Sequence, residues 1–210
     1  MKSQLKKYLL LVIALVLPLS LYAQGKVYTR KVRISDYPVC TTMAVLDSGY
    51  ALTQSLREEV VSRWRISSYE FCTPKEYEKL KTRSDLYFLK AEKRDGIVFL
   101  CYSKGGDRKN DDPRKEYLEI VALPAVASES AKTGLMGAYI DVIQRFVEDA
   151  AASDKIAYAG LRHYNMPGMS RRSPETYDRV TVGPYVMAID RKSHRLLMFQ
   201  KKKTNGKSVE

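Results

Sequence analysis

The 210 residues carry 36 Lys and Arg against 24 Asp and Glu, a formal net charge of +12, and 45 % of them are apolar. That length and apolar content suit one core and exclude intrinsic disorder, collagen, a coiled coil and a polytopic membrane protein. Three of the positive charges fall in the first segment, so the chain is best read in two parts.

Lys2, Lys6 and Lys7 precede an apolar run, residues 8–21, broken only by Pro18 and Ser20, and Leu21-Tyr22-Ala23 stands before Gln24. A positive start, a short apolar helix and a small residue at the cleavage position describe a signal peptide. The run is shorter than the ~20 residues that span a bilayer comfortably, which sets it apart from the alternative of an uncleaved anchor. Cleavage after Ala23 leaves 187 residues and a net charge of +9. The mature protein is expected in the periplasm or outside the cell, with no transmembrane segment remaining. In such an oxidising compartment, Cys40, Cys72 and Cys101 leave at least one thiol outside any intramolecular disulfide. Neither a CxxC motif nor zinc-type spacing is present, so buried free thiols are the expectation.

Residues 26–34 alternate in a strand-like way, and 41–46 form a more apolar strand ending in the turn Asp47-Ser48-Gly49. Leu52, Leu56, Val60, Val61 and Trp64 then recur at helical spacing, and 65–71 is extended, giving a strand-helix-strand unit. Thr73-Pro74-Lys75-Glu76 predicts a capped helix start, because Thr73 and Glu76 can satisfy each other's backbone amides and Pro74 fits the first turn. Strands at 86–91 and 97–103 meet at Asp95-Gly96, a hairpin signal, and 117–123 supplies a third strand. The best long helix is 135–152, with Met136, Tyr139, Ile140, Ile143, Val147 and Ala150 on one stripe. A last hairpin is expected from strands at 180–189 and 195–200, turning at Asp190-Arg191-Lys192-Ser193.

The chemistry is sparse. With only two histidines, His163 and His194, a multi-histidine metal centre is excluded. His194 sits beside a tight turn, whereas His163 lies in a long polar loop that also carries Arg171 and Arg172, the kind of loop that often binds ligands. GxSxG and phosphate-cradling glycine patterns are absent, and Gly105-Gly106 precedes Asp107-Arg108 instead of a helix. Asp107, Asp111 and Asp112 do not match a calcium loop and stand among Arg108, Lys109, Arg114 and Lys115. Residues just after a parallel strand lie where open α/β sheets place ligands, which singles out Asp47 and Ser48 and, after the next strand, Tyr69 and Glu70. Residues 191–210 alone contribute +6, and Arg191, Lys192, Arg195, Lys201, Lys202 and Lys203 offer a surface for anionic polymers or lipid headgroups.

The run from Trp64 through Tyr69-Glu70-Phe71 to Thr73-Pro74-Lys75-Glu76-Tyr77 resembles uncharacterised exported proteins of Bacteroidetes-type bacteria. It is also distantly similar to the small α/β domain at the start of TolB-type periplasmic proteins. The resemblance implies an envelope protein that works through contacts, and it carries over no catalytic residue.

The expected protein is a single exported α/β or α+β domain over 24–200, followed by a basic polar tail, 201–210. It should hold a mixed β-sheet with a β-α-β unit, an antiparallel meander and one long packing helix. Its expected role is non-catalytic binding or assembly in the cell envelope, with an envelope protein or an anionic envelope polymer as partner. The alternatives are a small exported hydrolase using the His163 loop or the Asp47 crest, and adhesion through the basic C-terminal hairpin and tail. No cofactor or metal is expected, and export disfavours nucleic acid as a partner.

Overall fold

The computed structural model describes residues 34–106, 117–159 and 177–200. Strand β1 (Thr41–Val45) leads through helix α1 (Thr53–Arg63) to its parallel neighbour β2 (Ser68–Cys72). Helix α2 (Pro74–Leu80) follows, and β3 (Leu86–Arg94) lies parallel to β1 on its other side. β4 (Ile97–Gly105) and β5 (Tyr117–Val126) add antiparallel, so the five-stranded mixed sheet has the order β2-β1-β3-β4-β5. Helices α3 (Met136–Ala152) and α4 (Asp154–Ala159) come next, and β6 (Tyr177–Val182), β7 (Tyr185–Asp190) and β8 (Leu196–Gln200) form a separate antiparallel sheet.

Alternation along the strands builds two cores. Ala44, Tyr87, Leu89, Leu100, Tyr102, Ile120 and Leu123 face α1 and α3, where Leu52 just before α1 and the helices' Leu56, Val60, Tyr139, Ile140, Ile143 and Val147 are buried against them. On the opposite face Met43, Val45, Cys72, Leu86 and Phe88 pack under Tyr77 and Leu80 of α2. Helix α2 begins as its sequence demands. Thr73 accepts from the Glu76 amide while the Glu76 carboxylate accepts from the Thr73 amide at 2.8 Å, with Pro74 in the first turn. The β3–β4 hairpin turns at Asp95 and Gly96, both at positive φ, which is the backbone an Asp-Gly pair favours.

Two expectations need correction. The single strand over 180–189 is two strands, because Gly183 at φ +54 and Pro184, which has no amide hydrogen, make a turn between β6 and β7. That extra hairpin makes the C-terminal part a sheet of its own, docked through Val182, Met187, Ile189 and Leu196 into the larger core and through Tyr185 edge-on to Phe99. Ile34, the one described residue of the expected 26–34 strand, has helical backbone and opens a series of turns in which Tyr37 donates to Ile34 and Cys40 to Asp36.

All three cysteines are free and buried. Cys40 is five residues before Val45, the β1 partner of Cys72, so ~16 Å of strand separates them. Cys101 pairs with Lys90 two strands from β1, ~10 Å to one side of it. A disulfide needs Cα atoms within ~7 Å, so the strand register keeps every pair apart.

Candidate functional site

A concavity among the described residues lies at the amino ends of β1 and β3, where the turn before β1 meets the loop after α2. It measures about 320 Å³. Met43, Leu80 and Leu86 form its apolar floor, Val39 stands largely in solvent at its lip, and Cys40, Glu70, Arg83 and Asp85 supply the polar groups. The loop reaches this position because Gly105 and Gly106 have no side chains. A Cβ on Gly105 would overlap the Arg83 carbonyl and lie 2.9 Å from that of Lys81, and one on Gly106 would lie 2.7 Å from the Ser84 amide. The Gly106 amide donates to Lys81 O at 3.1 Å, closing β4 onto the loop.

Behind the cleft runs a chain of polar contacts. Trp64 Nε1 donates to Ser67 Oγ at 3.0 Å, Ser67 Oγ and Thr42 Oγ1 are 2.8 Å apart, and Thr42 Oγ1 lies 3.0 Å from the Tyr102 hydroxyl. Tyr102 stacks on Tyr87, whose hydroxyl donates to Asp36 Oδ1 at 2.7 Å, and Lys104 Nζ donates to Asp36 Oδ2 at 2.5 Å. Burial pushes the pKa of both tyrosines up, that of Tyr87 with a further contribution from its bond to Asp36, so both hydroxyls stay protonated. Burial opposes ionisation of Asp36, but the bonds from Lys104 and Tyr87 outweigh it and leave the carboxyl below its ordinary range.

The charges of the cleft are unequally satisfied. Arg83 grips Asp85 with two bonds, Nε to Oδ1 at 3.0 Å and Nη2 to Oδ2 at 2.5 Å, and this holds Asp85 more acidic than usual. Glu70 has no hydrogen bond or ion pair among the described residues. Burial, followed by the nearby Asp36 charge, pushes the Cys40 thiol up, so it is a thiol and not a thiolate at neutral pH. Cys72 is pushed up to about 11 by burial, and Cys101 is also raised by burial. An arrangement with a protonated thiol, a neutralised arginine and a free carboxylate is equipped to hold a cationic group. It lacks an activated nucleophile.

Of the candidate ligand-binding residues read from the sequence, Glu70 alone among those described lines this cleft. Tyr69 and Glu70 do not follow β2; they stand inside it, opposite Thr42 and Met43, and successive strand residues point to opposite faces. Tyr69 therefore packs toward the larger core, edge-on to Phe71 at 5.7 Å, with Arg57 over the Phe71 ring. Asp47 and Ser48 do lie at the carboxyl end of β1, but Asp47 serves its own turn. Its Oδ1 accepts from Gly49 N at 2.8 Å, its carbonyl accepts from Thr53 Oγ1, and Ala51 N donates to Glu129 O at 2.7 Å. Arg191, Lys192 and Arg195 are exposed around the β7–β8 turn, and Arg191 is paired with Asp178 at 2.8 Å. His194, at φ +53, closes that turn by donating its amide to Asp190 O and sets Nδ1 3.8 Å from Asp141 Oδ2. His163, Arg171, Arg172, Lys201, Lys202, Lys203 and the 1–23 segment lie outside the described residues.

The sequence leads to Cys40 as a buried free thiol or a disulfide partner and not as part of a site, and it does not single out Arg83 or Asp85. The Arg-x-Asp spacing and the paired glycines 105 and 106 were the available signals, although neither gains meaning until the loop is seen against β4. Trp64, which carried part of the family resemblance, is buried with its ring 5.4 Å from Tyr102. In comparisons with known proteins, no family model, no curated protein and no solved structure matches the chain.

Proposed function

We propose that the protein is an exported component of the cell envelope that binds or assembles without catalysing a reaction. The observation that carries this reading is the chemistry of the cleft. Its thiol is held protonated, its arginine is committed to Asp85, and Glu70 is left as a free acceptor of positive charge. Such a set can recognise a group but has nothing with which to attack one. No helix among the described residues is long and apolar enough to cross a membrane. The favoured partner is an envelope protein. The basic stretch beginning at Arg191 is a weaker anchor for an anionic polymer, since Arg191 already faces Asp178.

Expression of the full chain in a host that exports it, with cross-linking in the isolated envelope, tests this. The mature protein should begin at Gln24 by mass and should cross-link to a specific partner. A retained 1–23 segment in the cytoplasm would remove the export reading, and a clean monomer in the envelope fraction would remove the assembly reading.

A further inference from the structure

We infer that the outer edge of β2 takes up an extended peptide as a sixth strand, with a Lys or Arg of that peptide set against Glu70 at the rim of the cleft. This deepens the binding role proposed above and rests on it. β2 is a terminal strand of the sheet, bordered by β1 on one side only. Cys72 O accepts from Leu46 N at 2.8 Å, so the backbone groups of Ser68, Glu70 and Cys72 face β1. By alternation those of Tyr69 and Phe71 face outward, where no described residue meets them. Two N–H and two C=O groups are thereby presented as a template for pairing.

The side chains decide what fits. A residue directly opposite Glu70 on an added strand has its Cβ about 5 Å from that of Glu70, on the same face of the sheet and on the side away from Met43. A lysine or arginine there can bring its charge to the Glu70 carboxylate, which has no ion pair among the described residues, while Arg83 is committed to Asp85. Neighbouring peptide residues fall on the other face, beside the Tyr69 and Phe71 rings, and favour apolar side chains. A second copy of the chain is the weaker occupant. The antiparallel register that pairs all five residues of β2 with themselves sets Glu70 against Glu70, and like charges directly opposite are destabilising.

The test uses the isotope-labelled mature chain and the capped peptide Thr-Thr-Val-Lys-Val-Thr-Thr, with a second peptide carrying Glu in place of Lys. In an NMR titration the lysine peptide should slow exchange of the Tyr69 and Phe71 amides, and the glutamate peptide should bind about tenfold more weakly. Glu70→Lys, an exposed substitution, should invert that preference. The proposal is overturned if the lysine peptide fails to bind at millimolar concentration, if both peptides bind alike to both proteins, or if the two amides are protected by self-association without peptide. Envelope cross-links that map away from 68–72 would remove this edge and spare the binding role, whereas a monomer in the envelope would remove the role whatever the peptides do.

Discussion

Asp36 ties the turn before β1 to two strands at once, through Tyr87 on β3 and Lys104 on β4. Because the folded carboxyl is more acidic than an ordinary one, its contribution to stability is complete above about pH 4 and is lost as the pH falls through the folded value. Asp36→Asn should therefore lower the urea midpoint at pH 7, a loss of about 1 kcal/mol in unfolding free energy given that the carboxylate is partly exposed, and the gap to the parent should narrow at pH 3. A widening gap in acid would contradict the assignment. Gly105 tests a different kind of constraint. Gly105→Ala pushes a methyl into the Arg83 carbonyl, and a cost of roughly 2 kcal/mol or more is expected in the same titration, since backbone on both sides must shift. An alanine accepted without loss would mean the loop is not pressed against β4.

Helix α2 covers the smaller core with only seven residues, so its first turn matters out of proportion to its length. Thr73→Ala removes one half of a reciprocal cap and should cost about 1 kcal/mol in equilibrium unfolding, whereas Thr73→Ser should be nearly neutral. This element was legible in the sequence because its signal is local: four consecutive residues hold all the atoms of the cap. The β1-α1-β2 unit and the Asp95-Gly96 hairpin were legible for the same reason. The turn at Gly183-Pro184 was overlooked because apolar residues flank it closely and read as one strand. Glu70 was recognised but misplaced: the extended reading of 65–71 already contains it, so it belongs inside the strand and not at the crest beyond its end. The cleft itself had no local signature. It arises where a loop from 81–85, a turn from 34–40 and a strand edge meet, and only the pairing of β1 with β2 and β3 brings them together.

At the scale of the whole molecule, the mixed sheet sorts its helices by face. α1 and α3 share one side, where Gln144 of α3 accepts from the Arg65 amide at 2.7 Å and donates to the Arg63 carbonyl at 3.1 Å, and α2 has the other. The smaller sheet leans on the first of these cores, with Ile97 packed so close to Gly183 that a Cβ there would sit 2.7 Å from its Cδ1. One feature of this architecture bears on how the chain can mature. The strand register that spaces the three cysteines beyond bridging distance makes the fold redox-indifferent: no bond has to be made, shuffled or protected for the native state to form. Thermal unfolding with and without reductant should coincide, and a reductant-dependent midpoint would show that a bridge exists after all. The chain could then be produced in a reducing compartment or an oxidising one and reach the same structure, without any thiol–disulfide catalyst on its route.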